Sequence, residues 1–430
     1  MDTYNFYYLS QKKLLQLNFN SISENLPSEK WQQLFNTHWP AYKAWFVSKG
    51  AVNAPSLKVA QQQLKEYMPK FIPTYKKLCE LAGDDKTAHR FLTGYQPPAY
   101  ISGCSQAVLA SPSQLVRNYD YHPSLCEGTL LNSAWNGKHV IAVGDCLWGV
   151  VDGMNSDGLV ASLTFGGRKV VGKGFGIPFI LRYVLEFCST IKEAMEELQR
   201  IPSHMAYNIM LLDKHGNSRM LQLAPDHKPK ITDLKISTNH QGTVDWPEHA
   251  AFSKTVEREK FLQNTLGCVN TNAENLANKF LQKPLFNRQY KDGFGTVYTS
   301  IYRPAEGYME VRWEDKTLRQ SFADFEEGNT LITYREKIKH PLKVHFTKTS
   351  EEVEAPHYAT ADYWVKYGKA WANGNPTAFQ KQIVQEIGNA MGMGGSPQME
   401  KMLTKFASET KKRGQIPWEM LADLWAEFGR

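Results

Sequence analysis

Residues 97–123 read PPAYISGCSQAVLASPSQLVRNYDYHP and contain the dipeptide Gly103–Cys104 at the start of a strand-like run. The runs CSQAVLAS and QLVRNYDY bracket a Ser-Pro-Ser turn, and this pattern predicts a β-hairpin. Arg117 and Asp120 follow Cys104 on the second strand of the predicted hairpin. The cysteine is therefore either an ordinary buried thiol or a nucleophile placed beside a charged pair.

A nucleophilic cysteine in this setting can act twice. As an internal residue, its thiolate attacks the carbonyl of Gly103, and a second nucleophile then releases the upstream chain. Cleavage leaves Cys104 with a free α-amino group, whose reference pKa of about 8 suits it to accept the thiol proton at neutral pH. Glycine before the bond leaves the carbonyl unhindered. The dipeptide alone is too common to assign this chemistry, so the rest of the chain has to decide.

The composition is that of an ordinary globular protein. The 430 residues are 42% hydrophobic and 22% charged, and this length is enough for two or three structural units. Six cysteines occur without CxxC spacing, and the 12 histidines include no HExxH motif. We therefore expect neither a disulfide framework nor a metal site, and no external cofactor.

Charge and hydropathy exclude two classes of partner. The net charge of +7 is mild and dispersed, so it does not indicate a nucleic-acid-binding surface. We find no N-terminal secretory signal and no apolar run of about 18 residues, and these observations predict a cytoplasmic protein without a membrane span. A weakly basic surface favours an anionic small-molecule substrate such as a coenzyme A thioester.

The chain divides into three segments by pattern. Residues 1–103 are predicted to be mostly helical, residues 104–345 alternate short strands with turns and a few helices, and residues 346–430 are predicted to be helical again. Within the middle segment, STIKEAMEELQRI predicts a helix in which Thr190 and Glu193 form a capping box.

From Cys104 onward the chain resembles the autoproteolytic family typified by acyl-coenzyme A:6-aminopenicillanic-acid acyltransferase. That family is related to the bile-salt and penicillin V hydrolases of the N-terminal nucleophile (Ntn) superfamily. The similar stretches keep the same order over roughly residues 100–315: Gly103–Cys104, LVRNYDYHP, DGMNSDGLVASLTFGG, GFGIPFILRYVLEFCSTIKEAMEELQRIP, YNIMLLDKHGN, ISTNHQ and TVYTSIYRP.

The resemblance implies an α+β fold, a four-layer αββα sandwich whose first strand begins at the nucleophile. It also implies an inactive precursor that is cut between Gly103 and Cys104. Residues 1–103 then form a light chain, residues 104–345 the catalytic core, and residues 346–430 a C-terminal extension. The two pieces are expected to stay together as a heterodimer, and homo-oligomerisation is left open.

The family's reactive group maps onto the hairpin. Cys104 is the implied nucleophile in both self-cleavage and turnover. Asp120 is similar to the carboxylate near the cysteine amino group, and Arg117 is similar to the arginine that favours the thiolate. Their i, i+3 spacing on a strand places the two side chains on opposite faces unless a bulge intervenes. The alternative is a surface ion pair.

Three further positions follow from the same resemblance. Asn239 in ISTNHQ is similar to the asparagine whose amide helps to form an oxyanion hole, although a turn asparagine is the alternative. Thr164 occupies the position of a second family asparagine, so only its backbone N–H is expected to contribute there. Arg258 is the candidate for a late site arginine, with Arg288 and Arg303 as competitors, and it also fits the surface of a helix.

These expectations combine into one function. The chain is predicted to be a self-processing cysteine enzyme that cleaves or forms a linear amide, a C–N bond other than a peptide bond, through an acyl-thioester. A hydrolase without transferase activity uses the same residues. From another class, an unprocessed scaffold or binding protein that kept the fold without the chemistry is the alternative.

Overall fold

The structure is a computed structural model that describes residues 15–48, 54–269 and 271–334. The helices predicted for residues 346–430 lie outside the described residues. The strands in chain order are β1 (Leu15–Glu24), β2 (Gly103–Leu109), β3 (Gln114–Tyr121), β4 (Thr129–Ser133), β5 (Val140–Asp145), β6 (Gly149–Asn155), β7 (Val160–Phe165), β8 (Tyr207–Leu212), β9 (Ser218–Ala224), β10 (His227–Thr232), β11 (Ile236–Ser237), β12 (Arg288–Gln289), β13 (Phe294–Arg303), β14 (Tyr308–Arg312), β15 (Thr317–Ser321) and β16 (Gly328–Tyr334).

The α-helices alternate with these strands in three groups. They are α1 (Glu29–Ser48), α2 (Leu57–Tyr67), α3 (Ile72–Ala82), α4 (Lys86–Leu92), α5 (Ile177–Phe187), α6 (Ile191–Arg200), α7 (Pro247–Ser253), α8 (Thr255–Gly267) and α9 (Ala273–Phe280). Helix α6 begins with the predicted capping box of Thr190 and Glu193, which confirms that local prediction.

Two sheets stack against each other, and helices cover their outer faces. The larger sheet has the order β10-β9-β8-β7-β6-β5-β4-β1-β16, and the smaller one contains β11-β2-β3-β13-β14-β15 with β12 beside β13. Helices α5 and α6 pack on the larger sheet, and α8 and α9 pack on the smaller one. The α+β fold predicted from the sequence is confirmed, and its layers follow the order αββα.

The two strands of the β2–β3 hairpin lie inside the smaller sheet and are buried on both faces. Every residue of β3 is buried, and so is all of β2 except its last residue. One face meets the larger sheet, while the other contributes Ala107 and Val116 to a second apolar cluster with Leu262 of α8 and Leu276 of α9. A buried strand of this kind positions side chains toward two different layers at once.

The upstream segment differs from the helical prediction at its beginning. Helices α1 to α4 fill much of residues 15–103, but β1 was not predicted as a strand. It lies inside the larger sheet, parallel to β4 and antiparallel to β16. Its Phe19 is fully buried against Tyr298 and Trp313 of the smaller sheet. Residues 15–24 are therefore part of the sandwich and not an addition to it.

Candidate active site

Cys104 is the second residue of β2 and is fully buried in the uncut chain. Each of its three polar groups contacts a different residue that the sequence singled out. The Sγ lies 3.2 Å from Nη2 of Arg117, the backbone N–H donates to Oδ1 of Asn239 at 3.1 Å, and the carbonyl oxygen accepts from Nη1 of Arg258 at 2.8 Å. The structure thus brings three residues from separate parts of the sequence, Arg117, Asn239 and Arg258, into contact with Cys104.

Arg117 reaches the thiol from the space between the two sheets. Its Nε donates to the carbonyl oxygen of Leu163 in the larger sheet at 2.9 Å, and its Nη1 is paired with Asp152 at 2.5 Å. The hydroxyl of Tyr298 lies 3.1 Å from the same nitrogen. Because all of these partners are buried, the guanidinium is held in one orientation with its remaining Nη2 directed at Sγ.

Asp120 lies on the other face of β3, as the spacing predicts. Its Oδ2 is 3.1 Å from Nη1 of Arg258, and its Oδ1 accepts from the hydroxyl of Thr296 at 2.7 Å. The bulge that the sequence analysis considered for this strand is instead in its neighbour β13, between Thr296 and Tyr298. Asp120 is also the direct cross-strand partner of Gly103. The Asp120 carboxylate therefore lies close to the predicted scissile bond, but on the face of the sheet opposite the Cys104 thiol.

Arg258 of α8 is the late arginine that the fold brings to the site. It is 1% exposed, so the helical-surface alternative is wrong for its position. In addition to Cys104 and Asp120, its guanidinium donates to Oδ1 of Asn239 at 2.6 Å. The two competing arginines form ion pairs elsewhere, Arg288 with Glu314 and Arg303 with Glu306.

Asn239 lies in the loop that follows β11, and Thr164 of β7 contacts the residues just before it. The Nδ2 of Asn239 donates to the carbonyl oxygen of Phe165 at 3.2 Å, so the side chain bridges the last residue of β7 and the Cys104 peptide. The hydroxyl of Thr164 lies 2.8 Å from that of Ser237 and donates to the carbonyl oxygen of Thr238 at 2.9 Å. The side chain of Thr164 thus fastens the loop that carries Asn239.

Two glycines permit close approach at the site. A Cβ on Gly103 would lie 2.0 Å from the ring of Phe294, so the residue before the cysteine packs flat beneath this ring. A Cβ on Gly167 would lie 2.1 Å from the carbonyl oxygen of Asn239, and the φ of Gly167 is +67°. Both positions exclude a larger residue unless the neighbouring chain moves.

Burial and the neighbouring charges shift the pKa values of the site residues in opposite directions. Burial raises the pKa of the Cys104 thiol, while the positive charge of Arg117 opposes this rise. Burial also raises the pKa of Asp120, whereas the charge of Arg258 and the hydrogen bond from Thr296 lower it. Burial by itself would lower the pKa of Arg117, but its neighbours Cys104, Tyr298 and Asp152 raise it well above the usual range. Burial and the positive charge of Arg117 thus act in opposite directions on the Cys104 thiol in the continuous chain, and burial has the larger effect.

Sequence reasoning missed Asp152 and Thr296, which complete the charge and hydrogen-bond balance. Asp152 lies in the stretch DGMNSDG that was singled out for its family likeness, yet it was given no role. A carboxylate within an apolar run such as VVDGM is buried only if a cation or donors satisfy it, and this was the available signal. Thr296 is the first residue of the stretch TVYTSIYRP, which was also singled out, but no local pattern reveals its role because its partner Asp120 is distant in sequence.

Among the residues that the structure describes, no group of three or more His, Cys, Asp or Glu side chains has an arrangement that could hold a metal ion. The same described ranges contain no helix that is long and apolar enough to cross a membrane.

Comparison with known proteins gives one family match. Residues 110–318, slightly less than half of the chain, match the family model of acyl-coenzyme A:6-aminopenicillanic acid acyl-transferase. The match contains Arg117, Asp120, Thr164, Asn239 and Arg258, and it begins just after the Gly103–Cys104 bond. No curated protein matches the chain.

Several solved structures are similar at low identity. A mutant of the conjugated bile acid hydrolase from Clostridium perfringens is 15% identical with a TM-score of 0.33, covering 55% of this chain and 99% of that one. The Caenorhabditis elegans ortholog of N-acylethanolamine-hydrolyzing acid amidase is 15% identical with a TM-score of 0.36, covering 54% and 99%. Penicillin V acylase from Agrobacterium tumefaciens is 13% identical with a TM-score of 0.33, covering 53% and 82%.

Proposed function

We propose that this chain, whose residues 110–318 match the family model of acyl-coenzyme A:6-aminopenicillanic acid acyl-transferase, is the precursor of an Ntn-type cysteine amidohydrolase or acyltransferase. It cuts itself between Gly103 and Cys104. The mature enzyme then breaks or forms a linear amide bond through an acyl-thioester on Cys104. Its substrate is a small-molecule amide or an acyl-coenzyme A thioester.

The environment of Cys104 carries this proposal. A buried thiol that is merely structural has no need of two buried guanidinium groups, yet Arg117 contacts the sulfur and Arg258 contacts the carbonyl of the same residue. Burying each of these cations is costly, and each is matched by a buried carboxylate, Asp152 for Arg117 and Asp120 for Arg258. Such an arrangement fits stabilisation of a thiolate and of a developing oxyanion.

Self-cleavage is an acyl shift followed by hydrolysis. The Cys104 sulfur attacks the carbonyl carbon of Gly103, the Gly103–Cys104 C–N bond breaks, and the nitrogen gains a proton to become the α-amine. The resulting thioester links Gly103 to Sγ. Water then cleaves this thioester, which leaves a carboxylate on Gly103 and restores the thiol.

Turnover repeats the chemistry on an external amide. The free α-amine of Cys104 accepts the thiol proton as Sγ attacks the substrate carbonyl, and it returns a proton to the departing amine. Backbone N–H groups and the Nδ2 group of Asn239, which donates to the Phe165 carbonyl in the continuous chain, stabilise the tetrahedral oxyanion, and losing one such donor typically costs about 10²–10³ in rate. The acyl group then passes from sulfur to water or to an acceptor amine.

The upstream piece is proposed to remain bound as a light chain. It supplies β1, which lies between β4 and β16 in the larger sheet. Its Tyr42 donates a hydrogen bond to buried Glu127 at 2.6 Å, and the indole N–H of Trp31 donates to the carbonyl oxygen of Leu147 at 3.0 Å. Loss of this piece would open two strand edges and an apolar face, so we expect a stable heterodimer.

Full burial of Cys104 fits a precursor that does not turn over substrate. The thiol has no exposed surface while the chain is continuous, and Ser102, one of the residues before Gly103, places its hydroxyl 3.9 Å from Sγ. Cleavage gives those residues a free end, and their displacement opens the path to the sulfur.

Intact mass of the purified protein beside a Cys104→Ala variant tests the proposal. We expect two fragments that end at Gly103 and begin at Cys104, coeluting on gel filtration, and an uncut inactive variant. Cys188→Ala removes another buried thiol outside the site and should cleave normally. A single continuous chain with acyl-transfer activity would contradict the mechanism, and a continuous chain without activity would favour the scaffold. Partition of the acyl group between water and an added amine separates hydrolase from transferase.

A further inference from the structure

The loop that carries Asn239 is held by the first turn of α8. The hydroxyl of Thr255, the first residue of this helix, accepts the backbone N–H of Asn239 at 2.7 Å and donates to the hydroxyl of Thr238 at 2.8 Å. The carbonyl oxygen of Thr255 in turn accepts from the Thr238 hydroxyl at 3.1 Å. All of these groups are buried, so each contact replaces one that water would otherwise supply.

His240 and Glu259 extend this set of hydrogen bonds from Thr255 toward solvent. The Nδ1 of His240 lies 2.9 Å from the Thr255 hydroxyl, and its Nε2 lies 3.2 Å from Glu259. His240 is buried, whereas the side chain of Glu259 is 28% exposed. The pair therefore connects the buried loop to the surface of α8.

These contacts come from the same helix as Arg258. Thr255, Arg258 and Glu259 follow each other at i, i+3 and i+4, which places them along one side of α8. Lys254, at the junction of α7 and α8, has a left-handed backbone with φ of +52°, and this turn sets the direction of α8 relative to α7. One element thus fixes both the backbone of Asn239, through Thr255, and its side-chain oxygen, through Arg258.

We propose that Thr255, supported by the His240–Glu259 pair, is a positioning residue that sets the orientation of Asn239 for acyl transfer at Cys104. This inference rests on the proposed function. Without the Thr255 hydroxyl, the Asn239 N–H loses its acceptor, and residues 238–240 are expected to shift because fewer contacts hold them. Because Asn239 Oδ1 holds the Cys104 peptide, such a shift moves the amide relative to the reacting carbonyl. Displacements of about 1 Å near a reacting group can cost up to about 10²-fold in rate.

Two substitutions at Thr255 separate positioning from packing. Thr255→Val keeps the shape and removes the hydroxyl, and we expect self-cleavage to slow at least about tenfold. Thr255→Ser keeps the hydroxyl and should restore most of the rate. Glu259→Gln, at a partly exposed position, removes the charge that faces His240 and should slow cleavage by about two- to fivefold. Thr299→Val is the matched control, since Thr299 is equally buried and donates to Asn118 at 2.7 Å.

Hydrogen exchange makes the test independent of activity. In the uncleaved Cys104→Ala background, Thr255→Val should speed exchange of the Asn239 backbone amide at least about tenfold, with the Thr299→Val control unchanged. Unchanged exchange would overturn the inference. Faster exchange together with a wild-type cleavage rate would overturn it as well. If the wild-type protein itself does not cleave, the proposed function fails, while the exchange comparison still decides whether Thr255 fixes Asn239.

Discussion

Arg117 and Asp120 are three residues apart on β3 and reach Cys104 from opposite faces of the smaller sheet. Arg117 contacts the sulfur between the sheets, whereas Asp120 acts from the helical layer through Arg258, which binds the Cys104 carbonyl. The spacing that placed them on different faces is therefore compatible with one site, because a strand residue exposes its side chain to one layer and its peptide group to its neighbours.

The contact of Arg117 with sulfur should control the pKa of Cys104. Arg117→Gln alone leaves Asp152 as an unpaired buried charge, which typically costs about 3–5 kcal/mol in stability. We therefore combine it with Asp152→Asn and expect a folded protein. Because Arg117 opposes the rise in the pKa of Cys104 caused by burial, the pH at half-maximal cleavage rate should increase in the double variant. Cleavage at neutral pH should slow by about 10-fold or more.

The rate after dilution from denaturant, followed by mass, measures this effect. Arg168→Gln is the control, because Arg168 forms its ion pairs with Asp226 and Asp245 at the surface. A double variant with the wild-type pH profile would show that Arg117 does not act on the thiol.

Packing of Phe294 over Gly103 predicts a steric requirement at the scissile bond. A Cβ at residue 103 would lie 2.0 Å from the ring, so Gly103→Ala forces either the ring or the scissile peptide out of position. We expect Gly103→Ala to cleave at least about tenfold more slowly. Gly103→Ala combined with Phe294→Leu creates space beneath the ring and should recover much of the rate, as measured by intact mass over time. Equal rates for Gly103→Ala and wild type would exclude this requirement.

The sequence predicted the parts of the fold that depend on local pattern. The β2–β3 hairpin was predicted from its two strand-like runs and the Ser-Pro-Ser turn between them, and α6 was predicted from its capping box. Strand β1 was missed, because its assignment depends on β16, which pairs Leu15 with Tyr334 from the far end of the described chain. Strand pairing at such separation leaves no local signal beyond a short alternation.

The candidate site divides in the same way. Family likeness supplied Cys104, Arg117, Asp120 and Asn239, and it gave Arg258 as the candidate for the late arginine, with Arg288 and Arg303 as competitors. The packing of α8 on β2, which no local pattern predicts, is what brings Arg258 to the Cys104 carbonyl. Contacts such as Thr296 with Asp120 arise only when distant strands pair, so residue type and spacing alone do not reveal them.

A buried carboxylate pair joins the upstream segment to the core. The single hydroxyl proton of Tyr42 faces Glu127 Oε1 at 2.6 Å and Asp145 Oδ1 at 2.9 Å, so one hydroxyl serves two carboxylates. Burial and the neighbouring Glu127 raise the pKa of Asp145 from 3.8 to about 7, although Tyr42 and the N–H of Cys146 oppose the rise. Below about pH 7 the folded protein consequently keeps a proton on Asp145, next to the hydroxyl that Tyr42 contributes from the upstream segment.

This raised pKa makes stability depend on pH in a defined direction. The folded state holds the Asp145 proton more tightly than the unfolded state does. The contribution of this proton to the free energy of unfolding is therefore complete below about pH 4 and is lost as the pH rises to about 7. In the uncut Cys104→Ala background, Asp145→Asn should therefore match its parent at pH 4 and be more stable at pH 8, by on the order of 2–4 kcal/mol. Urea unfolding across this range measures the difference, with exposed Asp84→Asn as control. A difference that does not change with pH would show that Asp145 is already ionised in the folded protein and that Tyr42 does not share a proton with the pair.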